Sequence, residues 1–351
     1  MEMQTAAAEN GNTPRQYAAL DACKLFFAVC VVAIHTYATN VLPEPVDFWI
    51  TQSVFRLAVP FFFVASGFML GKKLHGEGRN LESTLTQYIK KLLPPLLWVG
   101  TANGLLELLL QHLRNGTDIR SAATQFAKHF FFYPYGAMWY VQASIIGALL
   151  LYPFLKRKKL NRALVVGALL YGWALLCNNY YFAAQASGLD GIVDAYMTAF
   201  ISARNGVFVG FFWLALGVKT CEWHRRAWSH RVLIPSLAVF AALYLIEIYL
   251  LKGQSYLDDR ALYITQIGLI PAGVLGILNL KLPIARRTSV LMRKASTWIY
   301  FFHRLFYVLC RIVWYLAFAA DWRGAGAFIV VMAMSTAAFC AVYVKNRAWI
   351  K

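Results

Sequence analysis

Charge is scarce in this sequence, and acidic charge is scarcest. Only 14% of the 351 residues are charged, where an average soluble domain carries about 25%. Asp and Glu number 16, against 34 Lys and Arg. That shortage excludes an ordinary water-exposed globule. Long polar stretches are missing too, so no second, soluble domain fits between the apolar runs, and no internal repeat stands out. The six cysteines (Cys23, Cys30, Cys177, Cys221, Cys310 and Cys340) form no C-x-x-C pair. Cys23 and Cys30, on one helix, are about 10 Å apart along its axis, too far for a disulfide. The thiols read as small buried residues. Seven histidines show no H-x-x-H or clustered Cys/His spacing, so no metal is expected. The N-terminal "MEMQTAAAENGNTPRQ" lacks an apolar core, which excludes a cleavable signal peptide and leaves a flexible tail.

What is present is apolar: 60% of residues, with aromatics at 16%. The apolar residues fall in runs near the ~20 residues that a helix needs to cross hydrocarbon. Backbone groups in lipid must pair within their own segment, so such runs cross as helices. The sequence predicts an all-α polytopic membrane protein with ten spans: Tyr17–Tyr37, Val54–Leu70, Tyr88–Leu110, Met138–Leu155, Ala163–Phe182, Ala195–Val218, Val232–Leu251, Ala261–Leu280, Ser296–Ala319 and Gly324–Val344. Basic residues alternate between connections. Arg15, "KRKKLNR", "KTCEWHRRAWSHR", "KLPIARRTSVLMRK", "KNRAWIK" and the Gly71–Lys91 segment hold 23, while the opposite connections hold six. The positive-inside rule then puts both termini in the cytoplasm. The domain scheme is a flexible cytoplasmic tail at 1–16, a membrane domain at 17–344 and a cytoplasmic tail at 345–351. The outer connection Gln111–Ala137 is long enough for a short surface helix. A net charge of +18 is met by anionic lipid head groups of the bilayer and needs no nucleic acid, although a polyanionic cytoplasmic ligand could use the same loops.

Ionisable groups inside spans are functional candidates because lipid exposure costs several kcal/mol. They are Asp21, Lys24, His35, Arg56, Glu107, Arg204, Glu247, His303, Arg304 and Arg311. At ~100° per residue, Lys24 and His35 fall within about 20° of each other, and Asp21 within about 40° of His35. One helix face therefore carries all three, with His35 about 16 Å from Lys24 along the axis. Several uses compete. Lys24 can snorkel, Asp21 can pair with it at i, i+3, and a buried histidine can be a structural hydrogen-bonder, a proton relay or a general base. A nearby cation could stabilise charge on an acyl oxygen or hold an anionic donor. Other stretches carry the same ambiguity. "RLAVPFFFVASGFMLGKKL" offers Arg56 and the small pair Ser66-Gly67, which suits close helix packing or a substrate pocket. Lys90 and Lys91 satisfy the positive-inside rule or a phosphate. Trp139 opens a span as an interfacial aromatic or a pocket wall. His303 and Arg304 sit well inside span nine.

Together these stretches resemble the membrane-bound acyltransferase family 3, the bacterial integral-membrane O-acyltransferases. That family opens with an acidic residue after a leucine, a basic residue, ten residues and a histidine, matched by Leu20-Asp21, Lys24 and His35. Its Pro-Phe-Phe run ending in Ser-Gly-aromatic matches Pro60–Phe63 and Ser66-Gly67-Phe68. A basic cluster before proline matches Lys90, Lys91 and Pro94-Pro95. A Trp opening a middle span matches Trp139, and a late Tyr-x-x-His matches Tyr300 and His303. Many members carry two arginines three apart where this chain has adjacent lysines; lysine is a point charge and not a planar fork. The resemblance runs over nearly the whole chain and is to the minimal form, without a fused SGNH domain.

The resemblance implies an inner-membrane multi-pass enzyme of bacteria that moves an acetyl group from cytoplasmic acetyl-CoA to a hydroxyl of a cell-surface saccharide or its precursor. His35 would be general base or transient acyl carrier, with Lys24 and Asp21 organising the donor. Arg56, Ser66, Gly67, Lys90, Lys91, Trp139 and His303 would bind substrate or acyl-CoA, with no metal. A proton-coupled transporter or flippase of lipid-linked sugars fits the same intramembrane charges, and a non-catalytic scaffold is the third reading.

Overall fold

The structure is a computed structural model that describes residues 17–76, 80–226, 230–254 and 260–345. The tail expected at 1–16, and that at 345–351 beyond its first residue, lie outside the described residues. In chain order the helices are α1 (Ala18–Thr36), α2 (Glu44–Ser53), α3 (Ala58–Leu74), α4 (Leu81–Asn115), α5 (Ile119–Phe132), α6 (Met138–Lys156), α7 (Leu160–Leu176), α8 (Tyr181–Ala186), α9 (Asp190–Phe200), α10 (Phe211–Arg225), α11 (His230–Leu250), α12 (Gln266–Asn279), α13 (Arg286–Phe318) and α14 (Ala325–Lys345). A 3-10 turn, Phe55–Leu57, joins α2 to α3, and a π turn, Gly206–Gly210, leads into α10. The described residues contain no strand. Eight helical runs among them are long and apolar enough to cross a membrane, and α7 and α12 are shorter apolar helices. The molecule is an all-α polytopic membrane protein. α5 is the short helix that the long outer connection has room for.

Three of the expected spans are altered. Span five stops at Leu176. Span six is not one helix: α9 ends at Phe200 and helical structure resumes at Gly206. The break holds Ile201 at φ 69°, a strained conformation for a β-branched residue. Polar side chains stabilise the restart, since Asn205 Oδ1 accepts from the Val207 and Phe208 amides at 3.0 and 3.2 Å. Span eight begins at Gln266, and its 14 residues reach only about 21 Å, short of the ~30 Å hydrocarbon core. Non-helical backbone precedes it. Amides exposed to lipid would be costly, and two side chains remove that cost here. Asn178 Oδ1 accepts from Ala261 and Leu262 N–H at 2.9 and 3.0 Å. Buried Glu247 accepts from Ile264 and Thr265 N–H at 2.7 and 2.8 Å and from the Tyr180 hydroxyl at 2.5 Å.

The central packing is between α3 and α10. A Cβ on Gly67 would run into the Leu214 carbonyl and lie 2.8 Å from the Gly217 Cα. The two glycines let these backbones touch, the small-residue mode of association expected in lipid. α1 packs along α13 and α6 along α4. Residues of α1, α3, α4, α6 and α13 together line one cavity.

Candidate functional site

A cavity of about 430 Å³ opens at the end of the bundle that carries the basic connections. Its rim is cationic: Lys24 of α1, Lys73 of α3, Lys91 of α4 and Arg293 of α13 all line it. Deeper in, the lining turns to hydroxyls, with Ser66, Tyr88 and Tyr140. The Ser66 hydroxyl and the Tyr140 phenol are hydrogen-bonded at 3.1 Å. Asp21 is buried behind the rim. It accepts a hydrogen bond from Ser289 at 2.8 Å and lies 3.7 Å from Arg293 and 3.9 Å from Lys24. One carboxylate thus sets the directions of two of the four rim cations.

A second, smaller cavity of about 40 Å³ lies toward the opposite end. Arg56 enters it from the 3-10 turn and Arg204 from the break in span six. Trp139 and Phe63 wall it, and Ala261 and Leu262 of the unwound segment before α12 close it. The Arg204 guanidinium lies over the Tyr133 and Trp139 rings, 5.4 and 5.5 Å from their centres. The Arg56 carbonyl accepts from Gln266 at 3.4 Å, which ties the 3-10 turn to the start of α12.

A wall of aromatic rings separates the two cavities. Phe62 and Tyr140 face the larger one, and their chain neighbours Phe63 and Trp139 face the smaller one. Successive helical residues diverge by ~100°, so two adjacent positions on each helix serve opposite sides. The rings interlock, with Phe63–Tyr140 centroids 4.5 Å apart, Tyr140–Tyr300 5.4 Å and Phe62–Tyr300 5.5 Å. Tyr300 is anchored by donating to the Ala137 carbonyl at 2.7 Å.

Two histidines meet near this wall. The His35 and His303 rings are 5.4 Å apart, centre to centre. His35 is partly exposed and His303 fully buried. His303 Nδ1 lies 3.0 and 2.8 Å from the Ile299 and Tyr300 carbonyls. Carbonyls only accept, so Nδ1 carries the proton and Nε2 bears the lone pair. That Nε2 is buried without a hydrogen-bond partner among the described residues. Arg304 follows His303 in α13. Arg304 itself is ion-paired to Glu107, and a chain of charges continues outward. Arg311 lies 3.7 Å from Glu107 and 3.1 Å from Asp321, and Arg114 lies 2.6 Å from Asp321.

The candidates from sequence divide accordingly. Lys24, Ser66 and Lys91 line the larger cavity, with Asp21 behind it; Arg56 and Trp139 line the smaller; His35 and His303 meet between them. Two stand elsewhere. Gly67 faces Gly217 and lines neither cavity, because the close approach of α10 occupies its open side. Lys90 is exposed one residue before Lys91 and turns away from the cavity, as ~100° per residue requires. Lys72, the neighbour of Lys73, lies 4.4 Å over the Tyr17 ring. Arg293, Tyr88 and Arg204 join the cavities without having been singled out as site residues. Arg293 was legible: with Ser296, Tyr300 and His303 it makes a polar stripe at helical spacing along α13. Arg204 was legible only as a charge inside span six; its place beside Arg56 depends on the break before the π turn. Among the described residues, no group of three or more His, Cys, Asp and Glu is placed to hold a metal ion.

Comparison with known proteins adds a family. The profile described as "Acyltransferase domain" matches residues 17–344. The chain is similar to a protein of Enterococcus faecalis named amino-acid racemase, 27% identical over 223 residues, which are 63% of this chain and 31% of that protein. It is also similar to the serine/alanine racemase of Enterococcus gallinarum, 26% identical over 249 residues, 70% of this chain and 35% of that protein. The chain thus spans about a third of the length of these curated relatives. No solved structure matches.

Proposed function

This chain belongs to acyltransferase family 3, and from that membership we propose that it moves an acetyl group from acetyl-CoA to a hydroxyl of a cell-surface saccharide or its precursor, in the inner membrane of a bacterium. The observation that carries this reading is the pair of cavities on either side of one aromatic wall, with two imidazoles beside it. The four cations at the rim of the larger cavity suit the phosphates of CoA. The pantetheine arm is long and thin enough to run past Ser66 and Tyr140 toward the wall. The smaller cavity, on the other side, would admit the reacting hydroxyl end of the acceptor.

The chemistry is acyl transfer. The acceptor hydroxyl oxygen attacks the thioester carbon as the His35 imidazole takes its proton. The carbon–sulfur bond breaks, and that proton goes to the departing CoA sulfur, so an ester and a free thiol result. A guanidinium near His35, with Arg56, Arg204 and Arg304 as the candidates, would stabilise the negative charge that builds on the acyl oxygen. His303, its tautomer fixed by two carbonyls, presents a lone pair that can accept a hydrogen bond from protonated His35 and hold it.

The test is CoA-thiol release by the purified protein in lipid nanodiscs, with and without a saccharide acceptor. Acceptor-dependent release should fall at least about 100-fold in His35→Ala, with insertion and melting unchanged. Full activity in that variant would remove His35 from the mechanism. A transporter or flippase of lipid-linked sugars is the second reading, favoured by the two interrupted spans, since discontinuous helices frame the sites of many transporters. Sugar movement across proteoliposomes without acetyl-CoA would support it.

A further inference from the structure

We propose that Glu107, on α4, is a positioning residue for the His35–His303 pair: by holding Arg304 it sets the rotation of α13, and with it the direction in which His303 points. The inference rests on the acyl-transfer reading for its kinetic test, but not for its spectroscopic one.

The first observation is what Glu107 touches. It is buried within a membrane span, where a carboxylate is costly unless paired. It is paired twice, with Arg304 and with Arg311, both of α13. Seven residues separate those arginines, so they project within about 20° of each other. The Tyr307 ring, on the same face, lies 5.3 and 5.5 Å from their guanidinium carbons. Packing alone does not call for an acid here, since the same seam continues outward as an apolar cluster of Leu110, Val308 and Ile312. The second observation is the loop before α6. Gly136 has φ 68°, and a Cβ there would lie 2.5 Å from the Arg304 Cγ. Glycine lets this loop lie against the arginine stem. One residue on, the Ala137 carbonyl accepts from Tyr300, one turn before Arg304, at 2.7 Å. The third is direction. His303 precedes Arg304 and points about 100° away from it, toward α1, where its ring meets that of His35. α13 packs on α1 and on α4, so whatever fixes Arg304 against α4 also fixes His303 against α1. The fourth is leverage. A side chain reaches about 5–6 Å from the helix axis, so a rotation of about 20° would carry the imidazole about 2 Å. A misplacement of about 1 Å can cost about 100-fold in rate.

A double-mutant cycle tests this. Glu107→Gln, His303→Asn and the double variant are compared in nanodiscs for melting and for acceptor-dependent CoA release. Glu107→Gln should lower kcat at least about 10-fold and leave KM for acetyl-CoA and acceptor within about 2-fold. Because it acts through His303, it should cost no more than about 2-fold in the His303→Asn background. A carboxylate that only staples two helices would lower the melting temperature and leave kcat per inserted molecule unchanged; that result overturns the proposal. So do losses that multiply in the double variant. Should Glu107→Gln fail to insert, Glu107→Asp takes its place and is judged by the same outcomes; it keeps the charge on a shorter stem. The imidazole nitrogen resonance of His303, identified by its absence from His303→Asn, reads the geometry without turnover. It should move in the Glu107 variant, and an unmoved resonance overturns the proposal. A parent protein that releases no CoA would remove the acyl-transfer reading, while a shifted resonance would leave Glu107 as the residue that orients His303.

Discussion

A histidine that gives its Nδ1 proton to backbone carbonyls has one nitrogen left for chemistry, and in His303 that nitrogen is buried 5.4 Å, ring to ring, from a second imidazole. The anchor and the lone pair can be separated by substitution. Asparagine can repeat the Nδ1 donor bond to the turn below but has nothing in the place of Nε2. His303→Asn should therefore melt close to the parent protein and lose at least about 10-fold in turnover. Melting and kcat measured on the same nanodisc sample check this, and unchanged kcat would leave His303 a structural residue only. Position along a helix decides equally sharp differences between neighbours. Lys91 and Lys73 reach the larger cavity while Lys90 and Lys72 do not. Sequence placed all four at one mouth because loop charge reports a side of the membrane and not a direction around a helix.

At the scale of elements, contact between α3 and α10 fixes where Ser66 stands. Gly67→Ala puts a methyl group against the Leu214 carbonyl and the Gly217 backbone, neither of which can swing aside. The expected cost is about 1–3 kcal/mol, read as a lower melting temperature, whereas Ser66→Ala should melt as the parent does. Equal melting of both variants would show that the two helices do not pack through this glycine. The Ser-Gly motif was visible in the sequence, but assigning Gly67 to a substrate was not justified by it; a small residue in a span serves packing as readily as a pocket. The breaks in spans six and eight were hidden for a related reason. Hydropathy averages over a window, and Ile201, Ala203, Ala261 and Leu262 are apolar enough to keep it high. What unwinds the chain there is a set of polar side chains, Asn205, Asn178 and Glu247, whose effect is on single amides. Glu247 was legible as an intramembrane acid and not as a clamp, because its partners lie about 17 residues on, beyond helical neighbours.

For the whole molecule, the all-α class and the face shared by Lys24 and His35 were readable from composition and helical periodicity, since both depend on features repeated every turn. The pairing of His35 with His303 was not, because it requires knowing that α1 packs on α13. Nor was the wall between the cavities, which depends on α3 and α6 meeting in one register. On the acyl-CoA reading proposed above, that wall has a consequence for economy of the donor. A thioester exposed to water on both sides of a membrane would be hydrolysed without benefit, and closing a site against water is how such side reactions are prevented. Phe62, Phe63, Tyr140 and Tyr300 would then act as a seal on a leak. Phe62→Ala together with Tyr140→Ala should raise acceptor-independent CoA release several-fold while acceptor-dependent ester formation falls. The ratio of thiol released to ester formed measures this directly. It should stay near one in the parent protein and rise in the double variant; an unchanged ratio would mean that water is held back elsewhere. Fidelity of transfer, in that case as much as rate, would be a property of four aromatic rings that take no part in the bond exchange.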